Sequence, residues 1–112
     1  MRLDRIIRDS GAEIICGSTS IEVSAICSDS RKVSFGSMFV AVKGFASDGH
    51  DYISAAIGKG ARVIVYEDSE AAERQLQSLD IEGITLIKAG SSRHSLAIMA
   101  GNFYDNPSRK LT

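Results

Sequence analysis

Two short polar segments contain most of the side chains that could do chemistry. Ser28–Lys32 combines two hydroxyls, a carboxylate, a guanidinium and an amine, and Lys43–His50 combines two glycines, a phenyl ring, a hydroxyl and an imidazole. Hydroxyls and backbone N–H groups can bind phosphate or sugar oxygens, and Arg31 and Lys43 could add charge-assisted hydrogen bonds. The same small polar residues also dominate turns that bind nothing, so two ordinary surface loops are the alternative interpretation.

Within these segments, individual residues have competing roles. Ser28 and Ser30 would point to the same side of an extended segment, which would present two hydroxyls to one ligand. For Asp29 we expect local turn and salt-bridge contacts with Arg31. Phe45 offers a flat face for stacking on a base, but it could equally fold onto the core.

The remaining reactive residue types predict no catalytic centre and no metal site. The sequence contains no GxxxxGK[ST], GxGxxG, HExxH or CxxC motif. We expect His50 to pack at a helix start and His94 to face solvent. Two cysteines are too few for a disulfide framework, and their apolar surroundings predict buried structural thiols, Cys16 and Cys27.

Composition indicates a single globular domain of ordinary type. The 112 residues are 44% hydrophobic with a formal net charge of -1, which gives no electrostatic reason to expect a nucleic acid or an acidic membrane as partner. No apolar run approaches the ~20 residues of a membrane-spanning helix, and the N-terminus lacks the apolar stretch of a signal peptide. A cytoplasmic location is therefore expected.

The hydrophobic pattern predicts the strands and helices that position the two polar segments. Short apolar runs bounded by turn residues predict strands at 13–16, 38–42, 62–66 and 84–87, and alternation predicts a half-buried strand at 21–25. Helical periodicity predicts helices over 1–9, 51–59, 69–79 and 91–103. Serines start the last two, at Ser69 (or Asp68) and Ser91–Ser92. The buried stripe of the last helix is predicted to be Leu96, Met99, Ala100 and Phe103. Alternating strands and helices predict an α/β fold with a mixed, partly parallel sheet flanked by helices.

Four strings together resemble one protein family. They are SDSRKV at 28–33, MFVAVKGF at 38–45, DGHDYI at 48–53 and AGNFYDNPSRKL at 100–111. The first three are similar to the N-terminal domain of the Mur ligases, ATP-dependent enzymes that build the peptide of bacterial cell-wall precursors. The fourth is similar to the branch that adds diaminopimelate or lysine as the third residue. One departure is Ser91, where relatives often have Asp, and serine caps a helix about as well.

The resemblance implies a substrate-binding domain. It implies that Ser28 and Ser30 contact the uridine diphosphate (UDP) end of UDP-N-acetylmuramoyl-L-alanyl-D-glutamate, with Arg31 and Lys43 as supporting charges. The implied closing loop carries Phe45, Ala46 and Ser47. Residues 1–106 would form the domain and 107–112 would begin a linker to central and C-terminal domains of the same ligase.

The resemblance also implies what this segment lacks. In the family a GTNGKT-like phosphate loop follows the equivalent of Leu111, so ATP and magnesium belong to the full-length enzyme and no cofactor is expected here. No residue of this chain is expected to form or use the acyl phosphate, and the segment alone is expected to be inactive. Three alternatives stay open: the D-alanyl-D-alanine-adding Mur ligase, a free-standing nucleotide-sugar-binding module, and a purely structural cap.

Overall fold

The fold is a five-stranded mixed sheet with helices on both faces, as predicted. The computed structural model describes residues 2–43, 49–67, 69–77 and 83–104. The sheet order is β1-β5-β4-β3-β2; β1 runs antiparallel to β5, and the other neighbouring pairs are parallel. The strands are β1 (Glu13–Cys16), β2 (Ile26–Cys27), β3 (Met38–Val40), β4 (Val63–Glu67) and β5 (Thr85–Ala89).

The central strands are continuous apolar runs because both of their faces are buried. Met38 pairs with Val63 and Val40 with Val65 across β3 and β4, and all four side chains are inaccessible to solvent. Alternate residues contribute to two core clusters. One cluster contains Leu3, Ile6, Met38, Val40, Val63, Val65, Ile87 and Met99. The other contains Phe39, Ala41, Ile53, Ala56, Ile64, Tyr66, Ala72 and Leu86.

Within the described ranges four helices cover these faces, and two of them begin at predicted serine caps. The helices are α1 (Leu3–Ile6), α2 (Ile53–Gly58), α3 (Glu70–Gln77) and α4 (Ser92–Tyr104), and short 3₁₀ turns lie at Ser30–Lys32 and Gly49–Tyr52. Ser69 Oγ accepts from the backbone N–H of Ala72 at 3.2 Å, and Ser91 Oγ accepts from that of His94 at 3.3 Å. These bonds satisfy N–H groups that have no partner inside the helix. Asp68, the alternative cap, lies outside the described residues.

The buried face of α4 is more polar than its sequence predicts. Its fully buried side chains are Ser92, Ser95 and Met99, whereas Leu96 and Phe103 are only partly buried against the core. Ser95 Oγ donates to the carbonyl oxygen of Ser10 at 3.2 Å. The amide of Asn102 donates to two further carbonyl oxygens at the end of α1, those of Ile6 and Arg8. Since α1 has only four residues, its free carbonyls need such partners.

Two strand predictions are wrong, because one predicted strand does not form and another ends early. The strand expected at 21–25 is absent; Glu22 forms an isolated bridge with Arg2, and the regular strand is the two-residue β2. Ser24 diverges because its N–H donates to Gly36 O and its hydroxyl to Phe35 O. The central strand, expected to reach Val42, ends at Val40.

Other expectations have mixed outcomes. His94 is exposed and His50 is buried at the start of a helical segment, as predicted. Both cysteines are free and only half-buried, so their prediction as buried thiols is wrong in degree. The expected domain boundary at 106/107 lies outside the described residues. Among the residues the structure describes, no helix is long and apolar enough to cross a membrane.

Candidate functional site

A pocket lies where the carboxyl ends of neighbouring parallel strands β2 and β3 meet the first helical turns. Its volume is about 430 Å³. The lining residues are Ser28, Asp29, Ser30, Arg31, Val42, Gly49 and Tyr52. Ligands of open α/β sheets bind beyond the carboxyl ends of the strands, so this carboxyl-end pocket is in the expected place. It contains residues from the first polar segment and from both sides of the second.

The two serines reach the carboxyl-end pocket by a different backbone route than the sequence predicts. Ser30 begins a 3₁₀ turn rather than continuing an extended segment, so the alternation argument for Ser28 and Ser30 does not apply. Both residues nevertheless line the pocket, Ser28 exposed and Ser30 half-buried. Neither hydroxyl forms a hydrogen bond with another described residue. Both therefore keep their donor and acceptor capacity for water or a ligand.

Asp29 has the local role expected of it. Its Oδ1 accepts from the backbone N–H of Arg31 at 2.9 Å, which caps the 3₁₀ turn. Its carboxylate also receives two bonds from the guanidinium, Nε to Oδ1 at 3.0 Å and Nη2 to Oδ2 at 2.9 Å. Hydrogen bonds from Arg31 lower the pKa of Asp29 from 3.8 to about 2. Asp29 thus stays ionised and orients the guanidinium at the pocket edge.

The second polar segment is closed at its base by a backbone contact. Gly49 N donates to Val42 O at 2.9 Å. A Cβ on Gly49 would lie 2.7 Å from Val42 N, so only glycine fits without displacing the backbone. The predicted ligand residues between these two positions, Phe45, Ala46 and Ser47, lie outside the described residues.

Lys43 is exposed and does not line the carboxyl-end pocket among the residues described. Its carbonyl oxygen accepts from Arg93 Nη2 at 3.1 Å, a contact that no local sequence pattern predicts. That Lys43 supplies a supporting positive charge to the ligand remains a prediction. The structure brings Arg31 but not Lys43 to the pocket wall.

Tyr52 and Val42 are lining residues that sequence reasoning missed. Tyr52 is 44% exposed and follows the second polar segment in the 3₁₀ turn at Gly49–Tyr52. An exposed aromatic residue directly after a glycine-bearing loop is the signal that could have identified it. Val42 carries no such signal, because it reads as the last residue of a buried strand.

Cys27 is the nearest thiol to the carboxyl-end pocket, and its environment does not favour nucleophilic chemistry. Burial, followed by the negative charge of Asp29, raises its pKa. A thiol held in its protonated form is a poor nucleophile. In the described ranges, no group of three His, Cys, Asp or Glu side chains could hold a metal ion. Hydroxyls and a guanidinium around an open cavity suit binding of phosphate or sugar oxygens.

Comparison with known proteins agrees with this architecture. A family model described as "Mur ligase family, catalytic domain" matches residues 22–104. The chain is 40% identical over 111 residues to UDP-N-acetylmuramoyl-L-alanyl-D-glutamate--2,6-diaminopimelate ligase 1 of Clostridium acetobutylicum, covering 99% of this chain and 21% of that protein. It is 44% identical over 97 residues to the corresponding ligase of Cytophaga hutchinsonii, covering 87% of this chain and 19% of that protein.

Solved structures show the same fold. MurF from Acinetobacter baumannii superposes with a TM-score of 0.68 at 17% identity, over 90% of this chain and 20% of that one. MurF ligase from Thermotoga maritima in complex with ADP gives a TM-score of 0.52 at 33% identity, over 68% of this chain and 16% of that one. The chain spans about a fifth of the length of the curated relatives it matches. On the extent of the family match, this chain belongs to the Mur ligase family.

Proposed function

We propose that this chain is the UDP-substrate-binding N-terminal domain of an ATP-dependent ligase that adds the third residue to the peptide of a peptidoglycan precursor. The observation that carries the proposal is that Ser28, Ser30 and Arg31 line one pocket with Val42, which precedes the second polar segment, and Gly49, which lies near its end. The ligand is UDP-N-acetylmuramoyl-L-alanyl-D-glutamate, held by its UDP end.

The pocket chemistry supports a pyrophosphate or ribose contact. Two unpaired hydroxyls can donate to or accept from ligand oxygens, and the guanidinium of Arg31 has donors beyond the two used by Asp29. In the proposal, Phe45, Ala46 and Ser47 close over the nucleotide, and Lys43 adds charge. The ring of Tyr52 supplies an apolar wall of the pocket.

The proposal assigns ATP and magnesium to parts of the ligase outside this chain. The sequence contains no phosphate-loop motif, and the described residues contain no group of three His, Cys, Asp or Glu side chains that could hold a metal ion. We assign ATP, magnesium and the amide-forming step to central and C-terminal domains of the same ligase, with residues 107–112 beginning the linker. The proposal keeps the cytoplasmic location expected from the sequence.

The relatives' names favour the third-residue ligase over the D-alanyl-D-alanine-adding one. The sequence relatives cited above are named for 2,6-diaminopimelate, whereas the MurF structure with the higher TM-score shares only 17% identity and therefore supports the fold alone. Diaminopimelate is accordingly the proposed third residue, with lysine as the alternative. The coding sequence after Thr112 distinguishes these ligases from each other and from a free-standing binding module.

Calorimetric titration of the 112-residue chain tests the proposal. We expect binding of UDP-N-acetylmuramoyl-L-alanyl-D-glutamate, and weaker than micromolar binding of UDP alone, because other domains hold the rest of the substrate. Adenosine diphosphate is the matched control ligand. No heat with millimolar UDP-linked ligand would contradict the proposal and favour a purely structural cap.

A further inference from the structure

Two hydrogen bonds connect the residues on either side of positions 44–48 to α4 and β4. At its start, the carbonyl oxygen of Lys43 accepts from Arg93, in the first turn of α4. Immediately after its end, the imidazole Nε2 of His50 accepts from the backbone N–H of Glu67, the last residue of β4, at 2.8 Å. Lys43 and His50, which lie on either side of residues 44–48, are thus each held by a contact outside the carboxyl-end pocket.

Glu67 joins these two contacts. Its backbone N–H donates to His50, and its side-chain Oε2 accepts from the backbone N–H of Ser92 at 2.8 Å. Ser92 precedes Arg93 in α4, so a continuous series of contacts runs from Lys43 through α4 and β4 to His50. A carboxylate at a helix N-terminus is also stabilised by the helix dipole, which strengthens this connection.

His50 is a buried polar residue whose bond is costly to lose. It is 2% exposed, and its loss would leave the half-buried backbone N–H of Glu67 without this acceptor, which is destabilising. Because an N–H donates to Nε2, that nitrogen carries no proton in this arrangement. His50 does not line the carboxyl-end pocket, but Gly49 before it and Tyr52 after it do. Any effect of His50 on a ligand must therefore pass through these neighbours.

We propose that His50 and Arg93 are positioning residues that hold Gly49 and Lys43, and with them the neighbouring pocket residues Tyr52 and Val42, at the carboxyl-end pocket before the ligand binds. The inference rests on the proposed function for the identity of that ligand. Fixing a binding segment in advance lowers the ordering cost of association. Loss of either anchor should therefore weaken binding without removing a ligand contact.

Two substitutions of His50 separate acceptor chemistry from packing. Gln offers an acceptor oxygen at about the reach of Nε2, whereas Leu offers none. In titrations with UDP-N-acetylmuramoyl-L-alanyl-D-glutamate, we expect His50→Leu to weaken binding about tenfold and His50→Gln by less than about threefold. Ile6→Ala, which removes buried atoms from the cluster on the opposite face of the sheet, serves as a control for a general loss of stability.

Arg93 allows a second test of positioning that does not depend on a substitution in the core. Arg93 is exposed, so Arg93→Met should preserve the fold and weaken binding about threefold, the effect of one exposed hydrogen bond. If His50→Leu and Ile6→Ala lose affinity equally at equal thermal stability, His50 has only a structural role. Unchanged affinity in Arg93→Met would remove Arg93 from the anchor.

A ligand-free readout separates this inference from the proposed function. Hydrogen exchange of the Gly49 amide, which donates to Val42, should accelerate in His50→Leu and not in Ile6→Ala. If the wild-type chain binds no UDP-linked ligand but Gly49 exchange responds in this way, the proposed function fails and the anchor stands. If the wild-type chain binds and neither readout responds, the anchor fails and the proposed function stands.

Discussion

The two ends of the same parallel strands use their serine hydroxyls in opposite ways. At the amino end, Ser37 is fully buried, and its Oγ lies 3.1 Å from Ser34 N and 3.2 Å from Ser34 Oγ. At the carboxyl end, the hydroxyls of Ser28 and Ser30 contact no polar group within the described part of the chain. Hydroxyls paired with each other stabilise a turn, whereas accessible unpaired ones are available to a ligand.

The glycines also differ in role between the amino and carboxyl ends of the strands. At the amino end, Gly60 has φ +108° and its carbonyl oxygen accepts from Gly36 N at 2.9 Å, so the turns of β3 and β4 pack directly together. The guanidinium of Arg62 covers the exposed ring of Phe35 at 4.9 Å. At the carboxyl end, Gly49 closes a segment that borders an open cavity. The amino end is therefore expected to determine stability, and the carboxyl end binding.

Among the substitutions considered, a change at Gly60, at the amino end of the strands, should affect stability most strongly. Gly60→Ala would place a Cβ 2.7 Å from Phe35 Cα at a φ that L-residues rarely adopt, and should lower the free energy of unfolding by roughly 3 kcal/mol. Gly101→Ala is the control, since its Cβ would meet open space in α4 and should raise stability by about 0.5–1 kcal/mol. Urea unfolding measures both. An equal response of the two variants would show that the Gly60 contact is unimportant.

Gly49→Ala should instead affect binding. Its Cβ would meet Val42 N and Val42 O at 2.7 and 2.8 Å, which forces apart the base of the segment beside the carboxyl-end pocket. We expect about a tenfold loss of affinity for the UDP-linked dipeptide, because displacing the backbone of the pocket-lining residues Val42 and Gly49 adds an ordering cost to binding. Calorimetry at a temperature where the variant is fully folded measures this. Wild-type affinity would break the proposed division between the two ends.

A matched pair of serine substitutions sharpens the comparison. Ser30→Ala should weaken ligand binding by roughly 1 kcal/mol, the worth of one hydrogen bond, with little change in stability. Ser34→Ala should lower stability by a similar amount and leave affinity unchanged, because its partner is Ser37. Titration and thermal unfolding of both variants give the four values. Unchanged affinity in Ser30→Ala would remove Ser30 from the site.

The smallest expected effect concerns the ionisation of Asp29. Its folded-state pKa of about 2 lies below the ordinary value of 3.8, so the pair with Arg31 stabilises the folded state above pH 3.8 and this contribution is lost as the pH falls toward 2. Arg31→Ala should return the pKa of Asp29 toward 3.8. A carboxyl-carbon NMR titration follows the change. The same midpoint in both proteins would show that Arg31 is not the cause.

Sequence reasoning succeeded where one local rule decided the outcome. The helix caps at Ser69 and Ser91, the pairing of Asp29 with Arg31 and the exposure of His94 each follow from nearby residues. It was less accurate where distant partners compete. Residues 21–25 alternate like a strand, but Ser24 is held by Gly36 and Phe35 instead.

The polar face of α4 shows a second way in which local patterns mislead. Apolar spacing favoured Leu96, Met99, Ala100 and Phe103 as buried. Met99 is fully buried, but so are Ser92 and Ser95, which the spacing does not predict. Ser95 pairs with a carbonyl of residue 10, a contact across 85 positions of sequence that no helical periodicity encodes. A buried hydroxyl is favourable only once its partner is in place, and the packing of α1 against α4 decides that.

The amino-acid sequence was sufficient to predict an α/β sheet with buried central strands, because uninterrupted apolar runs are stable only when covered on both faces. It also determined which polar residues remained available for chemistry. The tertiary structure was needed to bring Ser28, Ser30 and Gly49 to one pocket. It was also needed to bond His50 to the end of β4 and to place Arg93 of α4 against the carbonyl oxygen of Lys43. Those juxtapositions depend on parallel pairing between strands distant in the chain, which is set by the whole core and not by any local run of residues.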